Sequence, residues 1–125
     1  MRALLAVVTL FVASACAPAP AGVVVRGTAT AGPTCPVVTD PPDPACDDRP
    51  VSGAEIVARN EGGDEVTSVR TADDGSFSIT LAPGRYELVP QVVDGLMQVA
   101  EPVIIVVAAG ADPEPVALVY DTGIR

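Results

Sequence analysis

From Val23 onward, apolar residues recur at every second position in short runs, and glycine or proline separates the runs. A period of two is the pattern of a strand with one buried face. Val23–Thr30 sets Val23, Val25, Gly27 and Ala29 on one side. Ala54–Arg59 and Glu65–Thr71 flank Asn60-Glu61-Gly62-Gly63-Asp64, which reads as a hairpin loop. Asp74-Gly75 is a strong tight-turn signal before Ser76–Leu81. That run alternates cleanly, with Phe77, Ile79 and Leu81 facing in and Ser76, Ser78 and Thr80 facing out. Ala82-Pro83-Gly84 turns again, and Arg85–Val93 then places Tyr86, Leu88 and Val92 on one side. Pro90 falls on that side too and suggests an edge or a bulge. Val103–Val107 (VIIVV) is apolar on both faces, which predicts a central strand buried on both sides. Val116–Tyr120 is the last strand. Seven short strands with regular turns, and no 3.6-residue period after the first fifteen residues, predict an all-β sandwich or barrel of antiparallel strands. No internal repeat of about 20 residues or more interrupts this reading.

The first residues have a different pattern. Met1-Arg2 is a short positive start, and Ala3–Ala15 is an unbroken run of apolar and small residues. A membrane span needs about 20 such residues, whereas a signal-peptide core needs fewer. Ala13-Ser14-Ala15 fits the small-x-small cleavage rule, so 1–15 reads as a removable signal peptide. Cys16 follows. Val12-Ala13-Ser14-Ala15-Cys16 resembles a bacterial lipobox, with Ala13 where leucine is commonest. The expectation is diacylglycerol on the Cys16 sulfur, with Ala17–Gly22 (APAPAG) as a tether, so 16–22 is anchor and spacer. Two acyl chains suffice for stable attachment. The expected location is the cell membrane or cell surface. The alternatives are an ordinary cut that leaves a secreted or periplasmic chain, and an uncleaved anchor.

Three cysteines in an exported chain leave one over. Cys35 and Cys46 lie close in sequence and can pair, and lipidation then accounts for Cys16. The pair sits in Ala31–Pro50, an irregular insertion in which Pro36, Pro41, Pro42, Pro44 and Pro50 block a central strand or helix. A disulfide there closes a small ring and contributes about 3 kcal/mol in the chain-entropy account. Asp40, Asp43, Asp47 and Asp48 gather in the same loop. They read as a solvated acidic loop, with a calcium site as the alternative, although the spacing fits no EF-hand. Two cysteines without histidine are too few ligands for zinc.

Composition narrows the chemistry. The chain is 49% hydrophobic yet has two Phe, two Tyr and no Trp, so its core is built from Val, Ile, Leu and Ala. The net charge is −9, from 16 acidic residues against seven arginines. Such a surface repels phosphate backbones, so no nucleic-acid partner is expected. Histidine is absent, which removes His-based acid–base catalysis, Ser-His pairs and His metal sites. The obvious carboxylate pair, Asp73-Asp74, lies in a turn where aspartate is structurally favoured. No catalytic residue and no cofactor is predicted, and the chain reads as a non-enzyme.

Three segments in order carry a resemblance. Val51-Ser52-Gly53-Ala54-Glu55-Ile56, Thr71-Ala72-Asp73-Asp74-Gly75-Ser76-Phe77 and Leu81-Ala82-Pro83-Gly84-Arg85-Tyr86-Glu87-Leu88 resemble successive motifs of carboxypeptidase regulatory-like domains. Arg26-Gly27-Thr28 resembles that family's opening strand. The resemblance implies a seven-stranded Greek-key sandwich of transthyretin-like (prealbumin-like) type over 23–121, with Gly53, Ala54, Asp74, Gly75, Phe77, Pro83, Gly84 and Tyr86 as turn and core positions. It also implies an accessory module without catalytic residues. This chain departs by its cysteine-bearing insertion at 31–50 and by having no enzyme domain beside the module. The function expected is a non-catalytic exported interaction module, held at the membrane through Cys16, with a protein partner or a glycan at the cell envelope. The alternative is a carbohydrate-binding, starch-binding-like sandwich. That reading needs exposed aromatics, and Phe77, Tyr86 and Tyr120 are all expected to be largely buried.

Overall fold

The computed structural model describes residues 22–37 and 39–124. The expected signal peptide, Cys16 and the expected tether up to Ala21 lie outside the described residues. Among the described residues eight strands form, in chain order β1 Val23–Gly32, β2 Arg49–Pro50, β3 Glu55–Asn60, β4 Glu65–Arg70, β5 Ser76–Leu81, β6 Gly84–Pro90, β7 Val103–Val107 and β8 Val116–Asp121. The predicted seven are among them. The addition is β2, two residues long and too short to show any periodicity.

The strands make two sheets packed face to face, an all-β sandwich of the transthyretin-like kind. In the first, β1 is central. It pairs antiparallel with β5 from Val23↔Leu81 to Thr28↔Ser76, and with β2 at Thr30↔Pro50 and Ala31↔Arg49. On its other edge it pairs with β8, and there the strands run parallel, from Gly27↔Val116 to Gly32↔Asp121. That pairing is the exception to the antiparallel expectation. The second sheet has the order β4-β3-β6-β7 and is antiparallel throughout.

Alternation buries one face of each sheet. Val25, Ile79 and Leu118 from the first sheet meet Ile56 and Leu88 from the second, with Tyr120 fully buried among them. Aliphatic residues thus supply most of the core, as the composition requires.

Three expectations need correction. Val103–Val107 is not a central strand. It is the margin of the second sheet, bonded only to β6, and Ile104 and Val106 are 51% and 69% exposed. The strand predicted over Arg85–Val93 stops at Pro90, which removes Val92 from the sheet and leaves it 78% exposed. Pro90 marks neither an edge nor a bulge, because β6 lies between β3 and β7. It is tolerated because its nitrogen faces the line of β7 at a level where β7 has not begun. Pro50 enters a strand in keeping with the expectation that it blocks a central one: β2 is bonded to β1 alone, where a missing donor costs little.

Candidate functional site

The motif residues Gly53, Ala54, Asp74 and Gly75 are brought together at the junction between the sheets, whereas Pro83 and Gly84 lie at the opposite end of the sandwich. Gly53 N–H donates to Thr71 O, and Thr71 N–H donates to Ala54 O. The Thr71 hydroxyl accepts from Ala54 N–H at 2.9 Å and donates to Val51 O. Thr71 is the one buried polar residue among those described. Its hydroxyl therefore ties the start of β3 to the β4–β5 turn. In that turn Asp74 Oδ1 accepts from the Ser76 N–H at 2.9 Å and from the Ser76 hydroxyl. These bonds to the charged form hold the Asp74 carboxyl below its ordinary value. Gly75 follows with φ +79°, and a Cβ there would lie 2.4 Å from Ala29 O. Only glycine fits, and its carbonyl accepts from Ala29 N–H at 2.8 Å.

Phe77, opposite Gly27 in the β1–β5 ladder, fills the core. Pro83 and Gly84 make the next turn, after which the Tyr86 hydroxyl donates to Ala82 O at 2.6 Å. Every motif position thus serves a turn or the core. Sequence reasoning did not single out Thr71. Its signal was a threonine ending a strand just before an Asp-Gly turn.

The insertion makes the most distinctive surface. Cys35 and Cys46 form a disulfide with Cα atoms 5.3 Å apart. A single 3-10 turn, Pro44–Cys46, is capped by Asp43, whose Oδ1 accepts from Ala45 N–H at 2.9 Å. The Thr34 hydroxyl donates to Asp47 O at 3.1 Å. The chain's last residues clamp the loop base, with Thr122 N–H donating to Gly32 O at 3.2 Å and the Thr122 hydroxyl to Pro33 O. The aspartates do not converge: among the described residues no group of three or more His, Cys, Asp or Glu could hold a metal ion. The calcium alternative therefore gains no support.

Among the described residues no ring is exposed for a glycan to stack on. Phe77, Tyr86 and Tyr120 are all buried, as expected, and Tyr120 is wholly covered, with its phenol pKa raised by burial.

The strand directions give the sandwich two unlike ends. Gly22, the β3–β4 and β5–β6 turns and the segment 108–115 lie at one. The insertion, the β4–β5 turn, the β6–β7 connection and the last residues lie at the other. Contacts across that second end include the Gln98↔Asp121 bridge and the Met97 N–H bond to Asp121 O at 2.9 Å. Asp40, Asp43, Asp47 and Asp48 are there, with two more acidic residues in each of the β4–β5 turn and the β6–β7 connection. At the first end, a cleft of about 540 Å³ opens beside Val24 and Arg26, where Pro113 and Pro115 flank the start of β8.

Comparison with known proteins adds a family and a fold. A family model described as the carboxypeptidase regulatory-like domain matches residues 37–117, which include the eight turn and core positions from Gly53 to Tyr86 but not Arg26-Gly27-Thr28. A search of curated proteins returned no match. Among solved structures, seven chains match. One is described as the Bacillus anthracis TIE protein, 19% identical, with a TM-score of 0.58 over 79% of this chain and 17% of that one. At that identity the likeness is one of fold, and this chain spans under a fifth of the other's length.

Proposed function

Because the chain belongs to the carboxypeptidase regulatory-like domain family, we propose that it serves as a non-catalytic interaction module, exported and held at the membrane by a lipid on Cys16, with its disulfide-stapled end turned to a protein partner. The observation that carries this reading is the polarity of the sandwich. Cys16 precedes Gly22 by six residues in the sequence. A tether of that length reaches at most about 20 Å. From Gly22, β1 runs ten residues to the base of the insertion, about 33 Å farther on.

A lipid at Cys16 thus keeps the Gly22 end near the headgroups and the acidic loop away from them. That orientation also keeps most of the insertion's negative charge away from anionic lipid. Cysteine use agrees, since Cys35 and Cys46 occupy each other and Cys16 is the third. No helix among the described residues is long and apolar enough to cross a membrane.

The test is intact-mass analysis of the full protein extracted from membranes of an expressing bacterium. The expected mass is that of a chain beginning at Cys16 plus diacylglycerol, and Cys16→Ser should move the protein out of the membrane fraction. Membrane-extracted protein whose Cys16 carries no lipid defeats the reading.

A further inference from the structure

Strand β7 is an apolar sheet margin with no strand beside it beyond β6 among the described residues. Gln91 N–H donates to Glu55 O at 2.9 Å. Along β6, odd-numbered residues therefore turn their backbone groups toward β3, and Gly84, Tyr86 and Leu88 turn theirs toward β7. Their opposites are Val107, Ile105 and Val103. Ile104 and Val106 accordingly aim N–H and C=O away from the sheet, four groups with no strand beside them among the described residues. The side chains of these two residues are also the ones on the exposed face. The sheet's other margin, β4, carries Glu65 and Arg70 and a register shift opposite Ala58/Arg59, devices that discourage pairing. The residues of β7 include no charge, no proline and no register shift. An edge like this pairs with another strand unless something covers it.

We propose that two copies of this protein pair β7 with β7, antiparallel about Ile105, joining two four-stranded sheets into one of eight. In that register Ile104 lies opposite the partner's Val106, each residue bonds the other in both directions, and the two-fold repeats it, so all four free groups are used. Charge favours this direction over the parallel one. Glu87 neighbours Ile104 and Arg85 neighbours Val106 across the β6–β7 ladder. Antiparallel pairing puts Glu87 in one row with the partner's Arg85, while an in-register parallel pairing would put like charges in each row. The contact is small, so the pair is weak. It strengthens with salt, because the net charge of −9 on each chain opposes it.

The test is sedimentation equilibrium of the full chain carrying Cys16→Ser, which removes any lipid and any disulfide through that position. The expected result is a mass rising with concentration toward twice the monomer and no further, more steeply at high salt. Ile104→Glu with Val106→Glu sets like charges opposite each other and should stay monomeric. Ile104→Lys with Val106→Glu lets each new lysine meet the partner's new glutamate and should restore the dimer. All three proteins keep the inward Val103, Ile105 and Val107, and circular dichroism checks that they fold alike. A constant monomer mass up to about 1 mM, association beyond two copies, or equal association of the double-glutamate variant would overturn the proposal. None of these results depends on a lipid at Cys16, so the anchor reading survives or fails separately.

Discussion

Replacing Thr71 by valine exchanges one hydroxyl for a methyl and should be the most informative single change in the chain. The hydroxyl accepts from Ala54 N–H at 2.9 Å and donates to Val51 O. Ala54 is fully buried, while Val51 and Thr71 are each 5% exposed, so water has little access to either backbone group. The variant leaves a buried donor and a buried acceptor unpaired, at about 1–3 kcal/mol each. The added methyl returns about 0.8 kcal/mol. The expected net loss is about 3 kcal/mol. Thr71→Ser keeps the hydroxyl and loses only a methyl, so its cost should be about 1 kcal/mol. Strand propensity and hydrophobicity rank the two variants the opposite way, valine above serine.

Urea unfolding at pH 7 with the disulfide intact separates the two accounts. With a slope of about 1–3 kcal/mol/M, the valine variant's midpoint should fall by about 1–3 M, and the serine variant's by about a third of that. A valine variant as stable as the parent, or a serine variant below it, would show that the bridge carries no stability and that packing alone holds the sheet junction.

Gly75→Ala should cost at least about 2 kcal/mol, from the left-handed backbone and the clash 2.4 Å from Ala29 O. Thermal melts of the variant and its parent measure it, and an unchanged Tm refutes the close approach. Cys35→Ser with Cys46→Ser should lower stability by up to about 3 kcal/mol and open the first cleavage sites in limited proteolysis inside 33–48; a parent-like digestion pattern would mean the loop holds its shape without the bond. Tyr120 makes stability fall at alkaline pH. Its pKa is raised from 10.0 by burial, so the unfolded chain ionises first. The contribution is complete below pH 10 and is lost as the pH climbs past it. Urea midpoints above that pH should decline less in Tyr120→Phe than in the parent, and identical declines would exclude the phenol.

The strands legible in sequence were those whose partner strand does not matter to their pattern. Ser76–Leu81 alternates so strictly that its buried face, Phe77, Ile79 and Leu81, was readable without knowing that it lies beside β1. Val103–Val107 shows the limit. Five apolar residues fit a strand buried on both faces and equally a margin strand whose outer face awaits a cover, and only the strand order decides. The same non-local information sets the parallel β1–β8 pairing, whose partners are nearly ninety residues apart, and the two-residue β2. The Cys35–Cys46 bond was legible from counting thiols. The role of Thr71 was not, because one of its bonds reaches back twenty residues to Val51.

The anchor and the β7 pair constrain each other. The two-fold at Ile105 stands opposite Tyr86, only two residues into β6 from the Gly22 end. Antiparallel pairing therefore leaves the two Gly22 ends about 13 Å apart along the strands and sends each insertion about 20 Å past the partner's Gly22 end. A copy standing upright on its lipid would have its partner's acidic end driven toward its own membrane, and tethers of at most about 20 Å leave no clearance for it between two facing membranes either. Two lipidated copies can pair only lying flat. Lying flat brings the acidic end within about one Debye length, roughly 8 Å, of the headgroups, which anionic lipid disfavours. Membrane-extracted protein reconstituted into vesicles should therefore pair less in anionic than in zwitterionic phospholipid, as read by chemical cross-linking. Ile104→Glu with Val106→Glu should abolish the pairing in both and leave the protein attached. Equal pairing of the parent protein in the two lipids would mean that the acidic end tolerates the surface.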